Sequence, residues 1–131
     1  MLKKIIFLLV TLLLLIACSA EQNTELEESI NSVIEDENNQ EININTLTTF
    51  EWDEAHLFAP YATKSGMGER LGFKYRDKSY IGMRDDVFLL VFVKDDKAIK
   101  YAEIKHQGSN LSTGEESYLT PSNDVIYIDR Y

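Results

Sequence analysis

Residues 53–56 read Asp53-Glu54-Ala55-His56, and here the chain sets two carboxylates beside an imidazole. A histidine near a carboxylate can exchange protons close to neutral pH or ligate a metal ion. Asp53, Glu54 and His56 are therefore the candidate groups for a hydrolase, with Glu51 as a further carboxylate on the same stretch. The metal reading lacks ligands, because catalytic zinc takes three protein donors and structural zinc four. His106, the second of the two histidines, is expected on a separate strand. Asp85-Asp86 and Asp95-Asp96 have the composition of turns, and Asp95-Asp96 lacks the spacing of a calcium loop. No serine stands in a G-x-S-x-G elbow. A strand edge with solvated polar residues accounts for this stretch without catalysis. No catalytic residue, metal or cofactor is expected.

The letters DEAH also occur in nucleotide-hydrolysing helicases. That chemistry needs a G-x-x-x-x-G-K-[ST] loop to cradle phosphate, and the sequence has none.

The other reactive group is Cys18, the only cysteine. It follows an apolar run, Ile5 to Ala17, interrupted by Thr11 and preceded by Lys3 and Lys4. A bilayer-spanning helix needs about 20 apolar residues. A basic start, a short apolar run and small residues at its end describe a secretory signal instead. Leu15-Ile16-Ala17-Cys18 resembles the lipobox of bacterial lipoproteins. The resemblance implies that residues 1–17 are removed and that Cys18 receives a diacylglyceryl group with its fatty-acyl chains. Two acyl chains give stable anchoring where one does not. The expected location is the extracytoplasmic face of the cell membrane, with the membrane itself as a partner through Cys18.

Charge narrows the partners further. The chain carries a net −9, and loss of Lys3 and Lys4 with the signal takes it to −11. From Cys18 to Glu41 there are eight acids and no base, whereas 14 acids and 11 bases follow from Ile42 onward. Nucleic acid is excluded as a partner, because binding it requires Lys and Arg to neutralise phosphates. Electrostatic attraction to anionic lipid is likewise not expected.

These residues need elements to position them. Residues 18–46 are polar, acidic and free of aromatic residues, which describes a solvated tether. Within it, Thr24 and Glu27 have capping-box spacing. Leu26, Ile30, Val33 and Ile34 then share one face of a helix over 25–35 that docks or lies free. Residues 47–131 form the folded domain. Phe50, Trp52 and Phe58 have one parity and Ala55, Leu57 and Ala59 the other, a strand whose faces swap near Asp53. Pro60 closes it. Thr63 caps a short helix ending at Gly72. Residues 73–75 and 79–83 are strand candidates. Val87–Val93 is apolar throughout and of strand length, so both of its faces are expected to be covered. Lys94–Lys97 is the turn to a partner strand over 98–104, 107–116 is a loop, and Val125–Tyr131 is the last strand. The fold class is α+β: an antiparallel sheet of four or five strands with one or two helices on one face. Core candidates are Phe50, Trp52, Phe58, Leu71, Phe88, Leu90, Phe92, Ile99, Tyr101 and Ile126.

Trp52, Phe58, Pro60 and Tyr61 are the candidate binding residues, since aromatic side chains beside a proline can line a groove. The strings FEWDEAHLFAPY and LLVFVKDDKAIKYAEI, with a helix ending Leu-Gly between them, resemble a group of small bacterial lipoproteins. The resemblance covers residues 50–104 and implies fold and location, not an activity. The expected function is a non-catalytic binding or interaction module in the cell envelope, meeting a protein or ligand there. The alternatives are an immunity or inhibitor lipoprotein and the hydrolase built on Asp53, Glu54 and His56.

Overall fold

The computed structural model describes Ile5 and residues 19–131. The signal 1–17 and Cys18, apart from Ile5, lie outside the described residues. From Ser19 onward the order is β1 (Glu21–Gln22), α1 (Thr24–Glu35), β2 (Glu41–Asn43), α2 (Ile44–Leu47), β3 (Glu54–Phe58), α3 (Lys64–Leu71), a 3-10 turn (Ile81–Met83), β4 (Val87–Lys94), β5 (Lys97–Lys105), β6 (Ser109–Ser112) and β7 (Val125–Arg130).

The class is α+β, with the strands divided between two sheets. One sheet has the order β1-β5-β4-β3 and the other β2-β7-β6. All pairings are antiparallel except β1 with β5. The apolar run of β4 is buried on both faces, as its composition predicts. Phe88, Leu90 and Phe92 enter a core shared with α1, β3, β5 and the smaller sheet. Val87, Leu89 and Val91 enter a second core with Phe58, Met67, Tyr75, Ile81, Tyr101 and Ala20. The helices consequently divide between the two faces, α1 on the first core and α3, through Met67, on the second. A sheet strand that is apolar on both sides requires cover on both sides.

Residues 19–46, expected as a tether, are part of the domain. Leu26, Ile30 and Ile34 are fully buried, β1 adds to β5, and β2 pairs Glu41 to Asn43 with Tyr127 to Val125. Glu27 and Asn31 of α1 accept the backbone N–H groups of Glu103 and Lys105 at 2.8 and 3.3 Å. They cover the edge of β5 that two-residue β1 leaves open. The N-cap is Asn23, whose side chain accepts from Leu26 N at 3.1 Å. Thr24, the expected cap, is the first helical residue.

Three other local signals hold. Thr63 caps α3, accepting from Gly66 N, and Gly72 ends it at φ 82°. Gly68 sits where a Cβ would lie 3.3 Å from the carbonyl oxygen of Phe73, so the chain leaving the helix folds back closely. Asp95 and Asp96, at φ 51° and 61°, make the β4–β5 turn, and the positive φ values match the right-handed twist of the strands. Residues 73–75 are irregular and 79–83 end in the 3-10 turn, so neither is the expected strand, and β6 forms inside the expected loop 107–116. Ser-Asn-Leu-Ser has only Leu111 to bury in the core, so its strand state comes from pairing with β7.

Candidate functional site

The residues 53–56 are held in structural roles. Asp53 accepts the Asp95 N–H at 2.9 Å, tying β3 to the hairpin turn. Glu51 meets Lys94 at 3.3 Å. Ala55 is wholly buried and bridges to Leu119. His56 is 3 % exposed, with its ring stacked on Tyr118 at 5.1 Å and near-parallel to Phe58 at 6.4 Å. Its Nε2 lies 3.7 Å from Glu54 Oε1, beyond hydrogen-bond length. Its Nδ1 has no hydrogen-bond partner among the described residues.

Burial, then the nearby Arg70 guanidinium, pushes the His56 pKa down to about 4, so the ring is neutral at pH 7. Arg70 donates to the carbonyls of Leu57 and Ser117 at 3.0 and 3.2 Å and lies 4.5 Å over the Phe58 ring. It fastens the loop bearing Tyr118 across β3. His106 packs edge-on to Phe88, with Nε2 2.9 Å from the Asp85 carbonyl oxygen. Among the described residues, no three His, Asp or Glu side chains converge.

The proposed aromatic groove is not assembled. Trp52 is buried in the first core, edge-on to Phe92 at 5.4 Å, with its indole N–H donated to Thr48 Oγ1 at 3.2 Å. Phe58 is buried in the second core, across the sheet. Trp52 and Phe58 share a parity in the sequence, but Trp52 lies before β3, and the swap of faces near Asp53 leaves the two on opposite sides of a sheet covered on both. Pro60 is half-buried and Tyr61 is 60 % exposed, so these two remain.

Tyr61 has neighbours that sequence reasoning did not select. Its N–H lies 3.0 Å from the Ile81 carbonyl oxygen and 3.2 Å from that of Arg84. Gly82 stands where a Cβ would meet the Ala62 carbonyl oxygen at 3.2 Å. The turn after Pro60 and the 3-10 turn are thus fastened backbone to backbone, so that Tyr61, Tyr80 and Met83 stand on adjoining turns. Tyr80 is 74 % and Met83 82 % exposed.

Tyr61 and Tyr80 both have positive φ, 67° and 58°, at a cost of about 1–3 kcal/mol each. Asp77 holds the second turn: its carboxylate accepts from Ser79 N, Ser79 Oγ and Ile81 N. Arg84 bridges Asp86 and Glu103, both at 2.9 Å, and donates to the Ser79 carbonyl at 3.3 Å. These polar contacts hold the backbone that carries Tyr80 and Met83. The only sequence signal for these exposed side chains was Pro60-Tyr61, because Tyr80 and Met83 sit in a stretch whose alternation reads as a strand.

Comparison with protein-family models, curated proteins and solved structures found no match. No helix among the described residues is long and apolar enough to cross a membrane.

Proposed function

We propose that this protein is a lipid-anchored module of the bacterial envelope that works by contact and does no chemistry of its own. The observation that carries this reading is the disposition of the reactive groups. Asp53 is occupied by the Asp95 amide and His56 is enclosed under Tyr118, whereas Tyr61, Tyr80 and Met83 are presented to solvent. Exposed aromatic and methionine side chains on a preformed backbone are suited to contact. Conformational strain of this kind clusters at functional surfaces. Of the four candidate binding residues, Pro60 and Tyr61 belong to that surface; Trp52 and Phe58 are core. The anchor is the diacylglyceryl group on Cys18.

Fractionation of cells tests the anchor. The native chain is expected in the membrane fraction and Cys18→Ser outside it; a Cys18→Ser chain that is still processed and firmly membrane-held would refute the anchor. Crosslinking in intact cells, with mass spectrometry of the captured neighbours, tests the contact. Crosslinks from Tyr61 or Tyr80 to the envelope support it, and hydrolysis of envelope material that depends on His56 would replace it.

A further inference from the structure

We propose that copies of this chain associate head to tail, the basic row Lys74, Arg76 and Lys78 of one copy taking the acidic outer face of α1 of the next. This goes beyond the preceding reading and does not depend on the anchor. The net charge conceals how charge is divided along the chain. Residues 62–84 carry six bases against Glu69 and Asp77, whereas residues 18–41 carry eight acids and no base. The fold sets these segments on opposite sides of the larger sheet. Leu26, Ile30 and Ile34 of α1 lie in the first core, and Tyr75 and Ile81 lie in the second.

Each patch is preformed. Tyr75 is buried and Asp77 half-buried, while Lys74, Arg76 and Lys78 are exposed, so the alternation turns three cations outward. Tyr75 in the core and the Asp77 carboxylate, which accepts from Ser79 N and Ile81 N, hold the row from beneath. Its length from Lys74 to Lys78 is at most about 14 Å. On α1, Glu25, Glu28 and Glu35 are exposed and stand opposite the buried stripe. From Glu25 to Glu35 the helix rises about 15 Å. None of these six side chains has an ion pair among the described residues; Lys78 bears only weakly on Glu21, which is paired with Lys100. Two held patches of similar length and opposite sign lose little freedom on meeting. Copies at net −9 repel at a distance, but at physiological salt the Debye length is about 8 Å, so the charges facing across the contact decide. Patches on opposite sides of a sheet are not both satisfied within one two-fold pair. The contact is therefore heterologous and continues as a row of copies. Exposed ion pairs are individually weak, so crowding on a common surface supplies the effective concentration they need.

The test uses the full chain in detergent, half of it labelled with a heavy isotope, and a carbodiimide that joins a carboxylate to an amine only where they touch. Links between a labelled and an unlabelled copy are expected from Lys74 or Lys78 to Glu25, Glu28 or Glu35 at about 0.1 M salt. They are expected to vanish at about 1 M, where the Debye length is about 3 Å. Sedimentation reads association without the linker. The chain with Lys74→Glu, Arg76→Glu and Lys78→Glu, and the chain with Glu28→Lys and Glu35→Lys, are each expected to sediment as single copies. An equal mixture of the two is expected to recover the native association, which also requires both to be folded. Glutamine in place of Lys74, Arg76 and Lys78 imposes no repulsion and is expected to give the same loss; association that survives it overturns the proposal. A native chain that forms no such links at about 0.1 M salt, or folded variants that do not recover on mixing, overturn it as well. A native chain retained on phosphocellulose without copy-to-copy links assigns the row to an acidic polymer and also overturns it. None of these outcomes bears on Cys18 or Tyr61, so the preceding reading stands or falls separately.

Discussion

At the scale of single residues, His56 shows how burial changes what a reactive side chain can do. In water an imidazole titrates near 6.5, but under Tyr118 its proton is held only below about 4. The unfolded chain binds a proton in that interval and the folded chain does not, so acid favours unfolding. The contribution of His56 is complete above pH 6.5 and is lost as pH falls toward 4, by about 1–3 kcal/mol. Urea unfolding across pH 4–7 of the native chain and of His56→Phe checks this. The variant is expected to be at least as stable at pH 7, since it removes an unpaired Nδ1, and to have a flatter acid limb. Trp52 and Tyr61, neighbours in the sequence reading, separate by the same reasoning. Trp52→Ala is expected to cost about 3–5 kcal/mol, as large aromatic truncations in cores do, and Tyr61→Ala no more than about 0.5 kcal/mol, both read as shifts in the urea midpoint. Tyr61 was a candidate binding residue from its place after Pro60, but its exposure is decided by the structure alone. Trp52 was legible as a core candidate, and its burial bears that reading out against the groove reading that the sequence also offered.

At the scale of elements, α1 is legible almost to the residue and its role is not. Its stripe of Leu26, Ile30, Val33 and Ile34 specifies a helix with one apolar face. What covers that face depends on β2 and, more than 60 positions later, on β5, β6 and β7. Ile30→Ala is expected to destabilise the whole domain by about 2–5 kcal/mol, and a helix lying free would show no such loss. The cap distinguishes two adjacent residues: Asn23→Ala is expected to cost about 1 kcal/mol and Thr24→Ala much less, both by thermal unfolding. The two cues differ because several polar residues in a row can each supply a capping oxygen, and only the entry of the chain from β1 selects Asn23. The hairpin β4–β5 needed no such arbitration. Its apolar run, polar turn and alternating partner are contiguous, so local and long-range preferences coincide.

For the whole molecule, the first residues after Cys18 have the largest consequence. An acidic, aromatic-free stretch has the composition of a solvated chain, yet it supplies β1, α1 and β2 and closes both sides of the core. Deletion of residues 19–46 is therefore expected to leave an unfolded chain, without a smaller folded domain, by circular dichroism and hydrogen exchange. The sequence by itself determined the α+β class, the fully covered β4, the turns and the anchor expectation, because these follow from short-range periodicity and from the chemistry of individual residues. The tertiary structure alone decided that a solvated-looking segment is core, that the two helices take opposite faces, that His56 is enclosed, and that Tyr80 and Met83 stand beside Tyr61. The physical reason is that burial belongs to pairs of surfaces. Isolated side chains announce only that they can be buried, and contacts between distant parts of the chain determine which of them are.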